Sequence, residues 1–447
     1  MKRSAALLLL AFATMTAPST SGMAQPLEVT PPPSPTHGVE FDYDTLFQRM
    51  YRAPSDLDAS FEFAQLAVRR GDYEAAIGAL ERMLFFNPNL PRVKLEIGVL
   101  YFKLNSYEMA KSYLNEAIKG PGLSLEERTQ AEAYLADIER RMAPYEYSAF
   151  LQAGLRYQSN ANFGPNSPAV RALGQNAVVA NQFGRTADWN SFESAAAFYA
   201  RKLNMRGDAV EVTFQGYNAN QFRLRQFDLG FLETTLGPRF AFGQSSSIKP
   251  YLIGDAAWLG NAPYFRAGGV GVSARTALGT IGVAEAVVEN RWRDFSGSLA
   301  FPAANQQSGQ ILTAAASTDL AFGALHVTTR FGYEDNRAAF AFNSYRRYSI
   351  DLAFPYGFAA SVLGVARQFA ITPTIGFSTT DYAAPFALVD PNITRHDREL
   401  HYGAIFDAQI YEALGVRTQV LYSKTDSSLP NYGTSNFSIS IGPTARF

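Results

Sequence analysis

From Tyr147 to the C-terminus, apolar side chains recur at every second position, and no other feature limits the fold as much. Ala149, Leu151, Ala153, Leu155 and Tyr157 share one parity, while Ser148, Gln152, Gly154 and Arg156 share the other. Ala284, Ala286, Val288 and Trp292 oppose Glu285, Glu289, Arg291 and Arg293. Leu325, Val327, Thr329, Phe331 and Tyr333 oppose His326, Thr328, Arg330 and Glu334. Tyr348, Ile350, Leu352 and Phe354 oppose Arg347, Ser349 and Asp351, and Leu400, Tyr402, Ala404, Phe406, Ala408 and Ile410 oppose Glu399, His401, Asp407 and Gln409. A period of two is the strand period, so each run has one apolar and one polar face. Many runs reach about 12 to 16 residues, against a usual strand length of about 5–6. Strands that cross a bilayer need about 9–11 residues for the hydrocarbon alone. Tyr and Phe gather toward the strand ends, where interfacial girdles belong.

Fourteen such runs can be marked, from 147–158 through 343–356 and 362–380 to 434–447. The even number suits a single-chain antiparallel barrel. The fold expected is therefore α plus transmembrane β-barrel, with an N-terminal helical domain followed by an antiparallel outer-membrane barrel of about 14 strands.

Composition fits two opposite faces averaged along each strand. Charged residues make up 18% and aromatic residues 13% of the 447, where soluble domains carry about 25% charge. Lys plus Arg is 39 and Asp plus Glu is 40, so no large positive field exists to hold nucleic acid. With no cysteine there is no disulfide framework, thiolate nucleophile or Cys-ligated zinc. Four histidines, at 37, 326, 396 and 401, offer little for metal chemistry, and no metal or cofactor is expected.

The N-terminus reads as an address. Lys2 and Arg3 precede an apolar run from Ala5 to Thr14, too short to span a bilayer, and Gly22-Met23-Ala24 places small residues before a cut ahead of Gln25. Residues 1–24 are thus a signal peptide. Residues 25–40, with Pro26, Pro31, Pro32, Pro33 and Pro35, form an extended, disordered linker.

Residues 41–145 are expected to form a periplasmic helical repeat domain, and 146–447 the barrel. With an offset of 34, Gly71-Asp72-Tyr73-Glu74-Ala75-Ala76 overlies Asn105-Ser106-Tyr107-Glu108-Met109-Ala110, and Leu80 overlies Leu114. That spacing, with Gly98, Tyr101, Ala110 and Ala117, resembles the tetratricopeptide consensus. Asn87-Pro88-Asn89 separates the repeats, and Ser124 with Glu127 makes a capping box that starts a closing helix over Leu125–Met142. If the short groove binds a client or chaperone, Arg92, Leu95, Val99 and Phe102 are the candidate contacts. Leu95 and Val99 serve equally well as packing residues.

The last strand ends Phe437, Ile439, Ile441, Ala445 and Phe447 on one parity. A terminal Phe447 of this kind resembles the signal read by barrel assembly machinery. Signal peptide, two repeats and a barrel of this size together resemble the surface lipoprotein assembly modifier family. Local echoes are Gly154-Leu-Arg-Tyr-Gln-Ser-Asn-Ala-Asn162, Leu236-Gly-Pro-Arg239, and Lys249-Pro-Tyr-Leu-Ile-Gly254 with Trp258 and Pro263-Tyr264. The resemblance implies an outer-membrane barrel that moves client proteins, often lipoproteins, to the cell surface, with the helical domain on the periplasmic side.

No catalytic constellation is visible, and no enzymatic activity is expected. His401 and Asp407 share a face but lie six residues apart, too far for a direct hydrogen bond. Gly268-Gly-Val-Gly-Val272 lacks the helix and Lys-Ser/Thr of a phosphate loop, and its glycines are read as room for a bend or an open lumen. A polysaccharide export porin with a periplasmic docking domain and a passive porin are the competing functions.

Overall fold

The computed structural model describes residues 43–447 except 54, 205, 244, 324, 363–364 and 412. The expected signal peptide and proline-rich linker lie outside the described residues. The chain divides into two compact units, one ending at Pro144 and one beginning at Tyr145.

The first unit has six helices: α1 (Tyr43–Arg52), α2 (Leu57–Arg70), α3 (Tyr73–Phe86), α4 (Pro91–Lys103), α5 (Tyr107–Lys119) and α6 (Leu125–Met142). Local chemistry sets their ends. Asp56 and Asp72 accept backbone N–H groups of Ala59 and Ala75, at 3.0 and 3.1 Å, while Gly71 turns the chain at φ 80°. Ser124 and Glu127 complete the capping box of α6, with bonds of 2.9 and 3.1 Å.

Small residues let the helices approach. Ala76, Ala110 and Ala117 are fully buried, and a Cβ on Gly98 would meet Leu114 Cγ at 2.7 Å. Ala131 and Ile138 of α6 seal the second repeat by joining Leu95, Ala110, Leu114 and Ala117 in one cluster. Helix α1 was not anticipated from the repeat alignment, which begins at Leu57. It packs Leu46 and Met50 into the first repeat's core, and Tyr43 donates a hydrogen bond to Asp72 at 2.7 Å.

The second unit is a closed antiparallel barrel. Its strands are β1 (Tyr145–Gln158), β4 (Asp188–Lys202), β5 (Ala209–Gln221), β6 (Leu229–Phe242), β7 (Ser246–Leu259), β8 (Ala262–Ala277), β9 (Gly282–Phe295), β10 (Gly309–Phe322), β11 (Leu325–Ala338), β12 (Tyr345–Ala353), β13 (Tyr356–Val362), β14 (Val365–Tyr382), β15 (His396–Tyr411), β16 (Leu414–Ser427) and β17 (Thr434–Arg446). A separate hairpin of β2 (Ala169–Ala172) and β3 (Gln175–Val178) lies in the connection after β1.

Each barrel strand pairs with its neighbour in sequence, and β1 closes on β17 from Phe150↔Arg446 to Gln158↔Ser438. Strands β12 and β13 are two halves of one. Both pair with β14 in a single register, Ala353↔Thr374 continuing to Tyr356↔Ile371, across a break at Phe354 and Pro355. The barrel therefore has fourteen strands. The expected runs 343–356 and 362–380 leave 357–361 between strands, whereas Tyr356–Val362 continues the wall in the same register on β14.

Exposure follows the expected parity. Leu151 and Leu155 are 45% and 47% exposed, whereas Gln152 and Gln158 of the same strand are buried. Tyr157 and Trp189, Tyr333 and Tyr348, and Tyr402 and Tyr422 form cross-strand ring pairs 5.2–5.4 Å apart on the outer wall. Connections of two to six residues join strands at the end where β1 begins, and longer ones, such as 159–187, 296–308 and 383–395, occupy the other.

Candidate functional site: the charged lumen and its lid

Because outward positions take the apolar residues, the polar parity of every strand converges on the lumen. A cavity of about 490 Å³ lies there, lined by strand residues such as Glu233, Asp255, Glu289 and Arg291 and by loop residues including Phe342, Phe386 and Tyr432.

Ion pairs run up one wall. Arg291 of β9 reaches Glu233 of β6 and Asp255 of β7 at 2.6 Å each, and Glu289 at 2.7 Å. Tyr251 donates to Glu289 at 2.8 Å. Nearer the short turns, Glu211 lies 3.2 Å from both Arg239 and Lys249. The glycine-rich stretch of β8 makes this crowding possible. A Cβ on Gly271 would meet the Tyr251 ring at 2.6 Å, and one on Gly269 would meet the Arg291 side chain at 3.0 Å.

The other wall follows the same rule. Arg417 grips Asp407 through two bonds of 2.9 and 3.0 Å, and Arg446 adds a third at 3.1 Å. His401 meets Asp351 at 3.0 Å and Glu399 at 3.8 Å. His401 and Asp407 thus have separate partners, as their spacing along β15 requires. Paired charges keep such an interior hydrated without an unbalanced field.

At the long-connection end, loop residues Phe342, Phe386 and Tyr432 line the cavity. The β2–β3 hairpin docks on the 383–395 and 428–433 loops. Arg171 of the hairpin bonds the fully buried Asp390 at 2.8 and 2.9 Å, and exchanges backbone–side-chain bonds with Asn431 at 2.8 and 2.9 Å. Leu173 and Gly174 donate backbone N–H groups to Leu388 and Val389. The Asn392 backbone N–H holds the Asp390 carboxyl below the usual carboxylate range, with the Arg171 guanidinium adding to it. Arg395 bonds Asp397 and lies between the rings of Tyr382 and Tyr432, 4.4 and 3.8 Å from their centroids. Around β8, β9 and the 296–308 loop, Tyr264, Phe265, Phe295 and Phe301 form a buried aromatic cluster.

In the helical unit, the four candidate contacts separate. Leu95 is 4% exposed and belongs to the core, and Val99 and Phe102 pack against the same cluster. Arg92 is exposed and lies 3.5 Å from Glu127. Of the two roles left open for Leu95, groove contact or packing residue, its cluster with Ala131 and Ile138 of α6 makes it packing. The lid residues Arg171, Asp390 and Asn431 were missed. They sit in aperiodic loops 219 and 260 residues apart in sequence, and Asp390-Pro391-Asn392 shows only a turn signal.

No family model matches this sequence, and no curated protein does. Among solved structures, the chain is similar to MamA over 22% of its length, at 14% identity and a TM-score of 0.21; it spans about half of that relative, 56%. Over 68% of its length it is similar to the outer membrane channel DcaP of Acinetobacter baumannii, covering 97% of that chain at 8% identity and a TM-score of 0.39. A bacterial polysaccharide outer membrane secretin gives 67% and 98% coverage, 11% identity and a TM-score of 0.35. These are likenesses of fold, and the function has to come from the geometry.

Proposed function

We propose that this protein is a gated outer-membrane channel of the surface lipoprotein assembly modifier type. In this reading its repeat domain, on the periplasmic side, engages a client protein or chaperone, and its barrel passes the client to the cell surface. The tied loops carry the reading. The β2–β3 hairpin is fastened to the 383–395 and 428–433 loops, and we read this as a closed resting state, which a channel for an intermittent cargo needs and a passive pore does not. The closure is made largely of ion pairs and hydrogen bonds, which water can replace when the lid moves. Mixed lumen charge suits a polypeptide with side chains of both signs. The short repeat scaffold on the same chain supplies a surface of the kind that holds peptide segments.

Deleting the gene and scoring candidate lipoproteins by protease shaving of intact cells tests this. Surface exposure of at least one client should be lost and should return with the full chain. Unchanged exposure of every candidate, with loss of a secreted glycan instead, would refute the reading in favour of polysaccharide export.

A further inference from the structure

We propose that the outer wall carries a lipid site over the barrel's closing seam. It would take an acyl chain whose linkage to its headgroup offers an amide or hydroxyl donor. The register aligns one outward row across five strands: Ala445 of β17, Leu151 of β1, Ala195 of β4, Gly216 of β5 and Leu232 of β6. In the next row toward the loops, Ala153 faces Glu193 and Glu193 faces Asn218. The small side chains at 153, 195 and 216 leave a groove of about 550 Å³ between larger neighbours such as Leu151, Phe214 and Leu232. The seam is also discontinuous here. Pairing of β1 with β17 lapses between Gln152↔Thr444 and Leu155↔Ile441, where Pro443 has no N–H to give Ala153.

Glu193 is the second, independent observation. It is exposed on the outer wall, four residues below Trp189, whose ring pairs with Tyr157 in the interfacial girdle. Five residues below the end of a strand tilted about 40° is a depth of about 12 Å, on the hydrocarbon side of that girdle. A carboxylate there is costly unless it receives donors. Asn218 supplies one at 2.9 Å, and among the described residues no cation lies within ion-pair distance of Glu193. What borders this wall is the bilayer, so a lipid is the natural occupant. An acyl chain would fill the apolar groove, and a donor at the top of that chain would meet Glu193. Lipids with amide-linked, hydroxylated acyl chains place donors at this level, while a diacyl phosphatidylcholine has none. The inference rests on the outer-membrane placement of the barrel and is independent of what the lumen carries.

Native mass spectrometry of the full chain, released from micelles loaded equally with lipid A and phosphatidylcholine, tests it. The expected result is one retained lipid A per chain, with its retention reduced at least tenfold by Glu193→Leu and by Ala195→Phe. Ala153→Phe provides a second obstruction if Ala195→Phe fails the heat-modifiable mobility check for assembly. Lipid A stripped of phosphate should be retained equally well. Overturning results are retention that depends on phosphate, equal retention of phosphatidylcholine, full retention in the obstructed variants, or a second copy of the chain bound in place of lipid.

Discussion

Replacing Arg291 by Met should destabilise the barrel through the carboxylates it leaves behind. Glu233 and Asp255 each approach the same Arg291 nitrogen at 2.6 Å, so the bonded oxygens lie no more than about 5 Å apart. At an effective dielectric constant of about 20, two unit charges at that separation repel by about 3 kcal/mol. Glu289 adds to this, while water in the lumen and local relaxation subtract. Loss of one partner from a buried ion pair costs about 3–5 kcal/mol in general, so about 3 kcal/mol is expected here. The assay is the urea midpoint of the folded, heat-modifiable band of full-length protein in detergent. Adding Glu233→Gln and Asp255→Asn to Arg291→Met should recover most of the loss, since neutral amides do not repel. An unchanged midpoint for the single variant, or no recovery in the triple variant, would refute the electrostatic account.

Leu352→Arg, outward on β12 and midway along the β12–β13 wall, should cost about 2–4 kcal/mol in bilayer-folded protein; unaltered folding stability would contradict its lipid-facing placement. Arg171→Ala should loosen the lid, raising single-channel conductance in planar bilayers and exposing 169–178 to protease, and an unchanged trace with full protection would show that the ion pair does not hold it. Ser124→Ala should remove about 1 kcal/mol from α6, read as earlier loss of helical ellipticity on heating. The Ser124 backbone N–H holds the Glu127 carboxyl below its usual range, so this cap contributes above the unfolded carboxyl pKa and is lost as pH falls through the lower folded value. Burial, followed by its hydrogen bond to Glu81, pushes Tyr113 up to about 12. Its contribution should therefore be complete below the unfolded tyrosine pKa of about 10 and fade as pH rises toward 12, with a late phenolate absorbance step that Tyr113→Phe removes.

The architecture was legible in the residues because both of its rules are local. Alternation of two placed Leu151 outward and Gln152 inward before any partner strand was known, and a 34-residue repeat with a Ser124–Glu127 cap placed α6 at Leu125–Met142. Strand parity is a backbone property, so every run that must face lipid declares itself. Where locality failed, the reading failed with it. The runs 343–356 and 362–380 left 357–361 unassigned, because the sequence does not show that Tyr356–Val362 keeps the same register on β14. Leu95 could have been groove or core until α6 was seen to cover it.

The functional details came from the tertiary structure. Arg291 gathers acids from three strands, Arg171 finds Asp390 across 219 positions, and Glu193 meets Asn218 one row above small residues only because the barrel closes in one register. By itself the sequence determined which face of each strand meets lipid and which meets water. Closure decided which charges are partners, which loops the hairpin binds, and where small residues line up on the outer wall, since these depend on strand neighbours and loop contacts that no local pattern encodes.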